Sequence, residues 1–214
     1  PHLWVSLHGR PTTRPEAGQD AFETNDGVAI ECDSDVSRVV LNALYESHPL
    51  PMSFTECLER VRTHISGIED VELASEVACL MTDCFMVGLV DIQPPRTRLA
   101  REVKQHPYAY PLARHQAIQG ISSVTNYYQQ LVHLDSYERT LMGLCDGKRD
   151  HKQLISGLIA ASNSGALRVE ISGSAMRDAE LLESVFEATI DEKLKALHYA
   201  SLLVHNDDFL NAMA

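Results

Sequence analysis

The chain has 214 residues, 44% hydrophobic and 22% charged, with 30 acidic side chains against 18 lysines and arginines, for a net charge of −12. This is globular composition rather than disorder, and no apolar run approaches the ~18–20 residues of a membrane-spanning helix. The acidic balance argues for solubility and against bulk phosphate binding.

The length fits one large domain or two small ones. Pro1-His2-Leu3-Trp4 has no initiator methionine and no basic-then-apolar leader, as expected of an excised fragment. The cysteines, Cys32, Cys57, Cys79, Cys84 and Cys145, are odd in number and scattered. They form neither a disulfide framework nor a C-x-x-C knuckle, so reduced and mostly buried thiols are expected.

Residues 1–22 contain Pro1, Pro11 and Pro15 with Gly9 and Gly18. Leu3 to Leu7 is a short strand candidate, and the remainder is a linker by composition. Val28-Ala29-Ile30 is the next strand candidate. Asp33 or Ser34 then caps a helix with Val36, Val39, Val40, Ala43 and Leu44 on one face. His48-Pro49-Leu50-Pro51 ends it. Ser53 and Glu56 form a capping box ahead of a helix with Phe54, Leu58, Val61 and Ile65 inward, closed by Gly67. A third helix over Val71 to Val87 turns Leu73, Val77, Leu80, Met81, Cys84 and Phe85 inward, with Gly88 at its end. Leu89 to Ile92 reads as a strand, stopped by Pro94-Pro95. Strand, three helices and strand make a winged-helix layout.

Arg96 to Tyr110 is basic and proline-containing, a connector. Tyr110 to Leu158 reads as a strand entry, a short helix, a tight turn and a second helix. In detail, Gln130 to Leu134 is a strand candidate, and Asp135-Ser136 caps a helix with Tyr137, Leu141 and Leu144 inward. Asp146 to Asp150 is a turn in which Gly147 takes a left-handed conformation and Asp150 caps the next helix, with Leu154, Ile155, Leu158 and Ile159 inward. Gly165 ends that helix, and Leu167 to Ile171 alternates as a strand. Gly173-Ser174 leads into a long helix over Ala175 to Leu197, striped by Leu181, Leu182, Val185, Phe186, Thr189, Ile190, Leu194 and Leu197. Leu202 to Val204 closes as a strand. An Asp-Ser cap follows a strand at 33–34 and again at 135–136, which fits either a repeat of two similar units or two unrelated helical units.

Chemistry is hard to place on these elements. A methyl donor such as S-adenosylmethionine is usually held by a glycine-rich turn between a strand and a helix. The partial matches, His8-Gly9-Arg10 and Ile171-Ser172-Gly173-Ser174, lack a G-x-G and a βαβ setting. The ten histidines form no H-x-x-x-H or H-E-x-x-H, and Cys79 and Cys84 fall on different faces of one helix. Cys145, Asp146 and His151 can be drawn as a nucleophilic group, but Cys145 ends an apolar helix face and reads as packing. DNA binding needs basic residues on the recognition helix. The third helix carries Glu72, Glu76 and Asp83 instead, and the long helix sets Arg177, Lys193 and Lys195 against six carboxylates between Asp178 and Glu192. The basic cluster Arg96, Arg98, Arg101, Lys104 and Arg114 sits at the connector, as a solvated linker or a docking surface.

Several motifs together resemble the C-terminal region of bacterial S-adenosylmethionine-dependent methyltransferases with a regulatory domain, the group that includes protein lysine methyltransferases. Leu3-Trp4-Val5-Ser6 with Arg10-Pro11 resembles the exit from that family's middle domain, and Asp26-Gly27 to Asp33 its next strand and cap. Tyr110-Pro111-Leu112-Ala113-Arg114-His115-Gln116-Ala117 is similar to S-P-L-A-R-x-Q-A, and Val124-Thr125-Asn126 to V-T-N-L. Leu134-Asp135 and Leu144-Cys145-Asp146-Gly147-Lys148-Arg149-Asp150 resemble L-L-D-G-T-R-D. Tyr110 replaces serine, and Tyr127-Tyr128 stands where the family tends to Leu-Arg.

The resemblance implies a non-catalytic accessory region, regulatory or substrate-positioning, with the catalytic Rossmann-like domain upstream. The expected fold is α+β and mostly helical: two tandem winged-helix-like units with small sheets. The expected divisions are 1–22 as linker and strand, 23–95 as the first unit, 96–109 as connector and 110–214 as the second unit. No cofactor site is expected in the chain, S-adenosylmethionine being bound by the parent protein. The implied partners are the upstream domains of the same polypeptide and a protein substrate, in the cytoplasm, without nucleic acid or membrane. A winged-helix nucleic-acid-binding module and a purely structural dimerisation module are the alternatives. Arg114, Gln116, Asn126, Asp146, Arg149 and Asp150 are the candidate surface residues, with Arg114 expected to pair with Asp146 or Asp150; the competing reading is that they cap helices and fix a turn.

Overall fold

Ser34 shows how the local rules act in the computed structural model, which describes residues 3–13, 20–24, 26–93, 99–168, 170–171, 174–175 and 179–206. Its Oγ accepts from Ser37 N at 3.1 Å while Ser37 Oγ accepts from Ser34 N at 3.1 Å. This reciprocal cap satisfies amides that the first helical turn leaves open, and it fixes the start of α1 (Asp35–Ser47). The same device starts α2 (Phe54–His64) at Ser53, α5 (Ser136–Leu144) at Asp135 and α6 (His151–Asn163) at Asp150.

The chain divides into two units, 1–97 and 98–214. In the first, β1 (Trp4–Leu7) pairs antiparallel with both β5 (Met52–Ser53) and β6 (Val90–Gln93). The register sets Val5 opposite Met52 and Leu7 opposite Val90. A second sheet joins β2 (Arg10–Thr13), β3 (Asp20–Glu23) and β4 (Ala29–Glu31), with Phe22 opposite both Pro11 and Ile30. Helices α1, α2 and α3 (Asp70–Met86) close over a core that includes Leu7, Phe22, Leu41, Leu44, Val61, Leu73 and Val77.

Composition reads residues 1–22 outside Leu3 to Leu7 as linker, yet β2 and most of β3 fall there, because Ala21 and Phe22 are buried at 1% exposure. Gly9 allows the turn between β1 and β2: a Cβ there would meet Glu23 O at 2.7 Å and the Leu89 side chain. On α3, Leu73, Val77, Met81 and Cys84 are buried as their spacing predicts. Phe85, expected inward, is exposed, since it lies about 100° around the helix from the buried Cys84, off the stripe of Leu73, Val77, Met81 and Cys84.

The second unit begins with a segment that pairs rather than merely connects. Leu99 bridges Val204 and Ala109 bridges Leu203, both antiparallel. Ala100 and Ala109 are buried in the unit's core and Leu99 is 1% exposed, so this stretch of the expected connector is a structural part of the unit. Of residues 202–204, Leu203 and Val204 form these single bridges rather than a continuous strand. Arg96, Arg98 and Pro94-Pro95 lie outside the described residues, as do Arg177 and Asp178.

Tyr110 is not a strand entry. It is the N-cap of α4 (Pro111–Ile118), whose first position is a proline already set to a helical φ. A hairpin follows, β7 (Ser123–Thr125) with β8 (Leu131–His133), placing Val124 opposite Val132. After α5 and α6 comes a second antiparallel pair, β9 (Glu170–Ile171) with β10 (Ser174–Ala175). Helix α7 (Ala179–Tyr199) therefore starts four residues later than its stripe suggests, because Ser174–Ala175 pairs with β9. Leu181 is exposed for the same reason: it lies in the opening turn, ahead of the buried series Leu182, Phe186, Ile190, Leu194 and Leu197. The architecture is α+β and mostly helical, winged-helix in kind, with small antiparallel sheets.

Candidate functional site

The six candidate residues fall into two groups within the second unit. Gln116 and Asn126 hold the β7–β8 hairpin. Gln116 Oε1 accepts from Thr125 N at 2.7 Å and its Nε2 donates to Thr125 Oγ1 at 3.2 Å, so the α4 side chain acts as an extra edge partner for β7. Asn126 is 3% exposed. Its Oδ1 accepts from the amides of Tyr128 at 3.0 Å and Gln130 at 2.9 Å, closing the hairpin turn. Its Nδ2 donates to Gln130 Oε1 at 3.2 Å and to the Ala200 carbonyl at 3.1 Å, just past α7. Both ends of the amide are thus satisfied.

Asp146, Arg149 and Asp150 build the turn between α5 and α6. Asp146 Oδ1 accepts from Lys148 N at 3.0 Å and Arg149 N at 3.2 Å, and its Oδ2 meets Arg149 Nη1 at 2.7 Å. Burial alone would push this carboxyl up. The two amides and the Arg149 and Arg114 guanidiniums outweigh it and hold the group below the usual carboxylate range. Gly147 completes the turn at φ +77, and its amide donates to Pro107 O at 3.0 Å. Asp150 Oδ1 accepts from Gln153 N at 2.9 Å as the α6 cap.

Arg114 departs from its expected pairing. Its Nε donates to Gly143 O at 3.1 Å, tying α4 to the end of α5, and it acts on Asp146 only through its field. The reason is positional: α4 packs on α5, which brings Arg114 to the last carbonyls of that helix rather than to the turn beyond it.

These side chains are engaged with backbone and with each other, and the arrangement fixes turns rather than presenting a nucleophile. Cys145, beside Asp146, is 0% exposed, and burial pushes its thiol up to about 12, opposite to what thiolate chemistry needs. Among the described residues no group of three His, Cys, Asp or Glu side chains is placed to hold a metal ion.

Reading the sequence missed a cleft of about 520 Å³ in the same unit, lined by Lys104, Asp150, His151, Lys152, Asp191 and Lys195. Lys104 belongs to the basic cluster noted at the connector, but its partners come from α6 and α7 and are remote in sequence.

The family described as "PKMT, C-terminal winged helix domain" matches residues 105–202. The fold is similar to the structure of PKMT2 from Rickettsia typhi, with a TM-score of 0.75 at 15% identity, over 95% of this chain and 43% of that one. A structure of the same Rickettsia typhi protein in complex with AdoHcy is similar with a TM-score of 0.70 at 16% identity, over 94% and 42%. The chain therefore spans less than half the length of the solved proteins it resembles. A comparison with curated proteins gives no match.

Proposed function

We propose that this chain, whose residues 105–202 match the family described as "PKMT, C-terminal winged helix domain", is the non-catalytic accessory region of an S-adenosylmethionine-dependent protein lysine methyltransferase. The observation that carries the reading is the family match over residues 105–202, the region that also holds all six signature residues. Those residues act as fasteners for turns and helix ends, which fits a rigid module that stabilises a neighbouring domain or positions a protein substrate. The AdoHcy complex of the Rickettsia typhi protein supports a methyl donor bound elsewhere in a longer polypeptide. The proposed partners are the other domains of that polypeptide and a protein acceptor, in the cytoplasm. Among the described residues no helix is long and apolar enough to cross a membrane.

The test is methyl transfer by the parent polypeptide with and without the second unit. An accessory role predicts that S-adenosylmethionine binding survives the deletion while the KM for the protein acceptor rises. Loss of S-adenosylmethionine binding in a truncated protein that remains folded would overturn the proposal.

A further inference from the structure

We infer that the outer face of α3 is a two-fold interface, through which two copies of this chain pair with their α3 helices antiparallel. A helix on the surface of an acidic protein ordinarily turns charge away from the core, as α7 does with exposed Glu180, Glu183, Glu187 and Glu192. Helix α3 does not. Its buried stripe is Leu73, Val77, Met81 and Cys84. Away from that stripe Val71, Ser75, Ala78, Cys79, Thr82 and Met86 are all exposed, Val71 at 82% and Met86 at 77%. At about 100° per residue these six share an arc of roughly 100°, and none carries a charge. The Thr82 hydroxyl donates to the Ala78 carbonyl at 2.8 Å, so the helix itself satisfies that polar group.

The order of these residues along the helix selects the occupant. Reading inward from the start of α3 gives a large apolar residue, a hydroxyl and a small residue: Val71, Ser75, Ala78. Reading inward from its end gives the same series: Met86, Thr82, Cys79. Laid antiparallel about a two-fold axis through the middle, Val71 meets Met86 of the second copy, Ser75 meets Thr82 and Ala78 meets Cys79, all in one register. Small residues at the centre let the two helices approach closely, and the large ones close both ends. A second copy is the partner that makes use of this internal symmetry; an unrelated protein has no need of it.

The size and charge of the face set the strength of the pairing. The 17-residue helix is about 25 Å long. The face offers roughly 500 Å² per copy, about 1,000 Å² in all, where specific interfaces begin. The dimer is therefore a weak one, forming at micromolar concentration or above. Glu72, Glu76 and Asp83 run along one flank of the face, and the two-fold axis sets both acidic flanks on the same side. Screening this repulsion strengthens the pairing as salt rises, the reverse of an interface held by ion pairs.

Sedimentation of the 214-residue chain over a concentration series tests the inference. A monomer–dimer equilibrium is expected, shifted toward dimer by salt. Ala78→Glu alone and Ala78→Lys alone should each weaken pairing about ten-fold or more. An equimolar mixture of the two variants should recover it, because position 78 of one copy lies beside position 78 of the other at the axis. Both substitutions place a good helix former at an exposed site, so helix content by circular dichroism should not change. A short bismaleimide should join Cys79 of one copy to Cys79 of the other. A chain that stays monomeric at its highest soluble concentration would overturn the interface. So would a dimer indifferent to Ala78→Glu, or a mixture that pairs no better than either variant. Protection of Cys79 from thiol reagents in a parent methyltransferase that is itself monomeric would also overturn it, giving the face to another domain of the same polypeptide. The accessory role is tested separately, by truncation.

Discussion

Asn126 Nδ2 donates to the carbonyl of Ala200 at 3.1 Å, across 74 residues of chain. That bond joins the turn of the β7–β8 hairpin to the residue just past α7, and the opposite end of the same amide closes the turn itself. Asn126→Ala removes both at once and leaves buried backbone groups without partners. A destabilisation of about 2–3 kcal/mol is expected, read from the urea midpoint. Asn126→Asp should recover the turn but not the Ala200 contact, because it keeps the acceptor and loses the donor.

The five thiols are expected to react in two classes. Cys79 is exposed, whereas Cys32, Cys57, Cys84 and Cys145 are buried. Burial pushes Cys57, Cys84 and Cys145 up to about 12, so they are protonated at neutral pH. A thiol reagent should label one cysteine rapidly in the native chain and the other four only as it unfolds. Rapid labelling of Cys145 would show that the α5–α6 turn does not close over it.

Lys193 sets a pH dependence. It bonds to Asp135 and Glu138 at the start of α5 and lies 5.9 Å from the centre of the Tyr137 ring. Burial raises the Asp135 carboxyl, but the Glu138 amide and Lys193 more than offset it and hold it below 3.8. A folded-state value below the unfolded one gives stability that is present at neutral pH and lost as pH falls through the acid range. Because Asp135 is about half exposed, the effect is small. Lys193→Met should lower the urea midpoint at pH 7, and the gap to wild type should narrow as pH falls from about 5 to 3. A gap that stays constant would mean that Lys193 acts through packing alone.

The third helix of the first unit should not bind DNA. Its carboxylates Glu72, Glu76 and Asp83 lie where a winged-helix reader needs cations, and Glu76 is further engaged by Ser34 Oγ at 2.9 Å. The expected outcome is no retardation of a generic duplex in a gel shift at low salt, where non-specific binding is strongest. A retarded band that weakens with salt would favour a nucleic-acid module instead.

The caps at Ser34, Ser53, Asp135 and Asp150 were legible because each is a rule over four residues that packing reinforces. Gly147 was legible for the same reason, a turn that demands positive φ. Helix α4 was not, although Pro111 at its first position was a usable signal, since the apolar stripe of Ala113 and Ala117 is too slight to show helical periodicity. Strand β2 is hidden by its proline and two threonines and β3, Asp-Ala-Phe-Glu, by its brevity, and the long-range burial of Phe22 marks them as strands. The six signature residues are legible as a motif, but the partner of Arg114 is not, because helix packing decides which carbonyl it reaches. The cleft was invisible because Lys104, Lys152 and Lys195 meet only after α6 and α7 fold together.

Isothermal titration of the 214-residue chain with S-adenosylmethionine is the most direct test of whether the chemistry lies outside it. An accessory region gives only heats of dilution, at concentrations where the parent methyltransferase saturates. A saturable isotherm with one site per chain would contradict the account and return the methyl donor to this part of the protein.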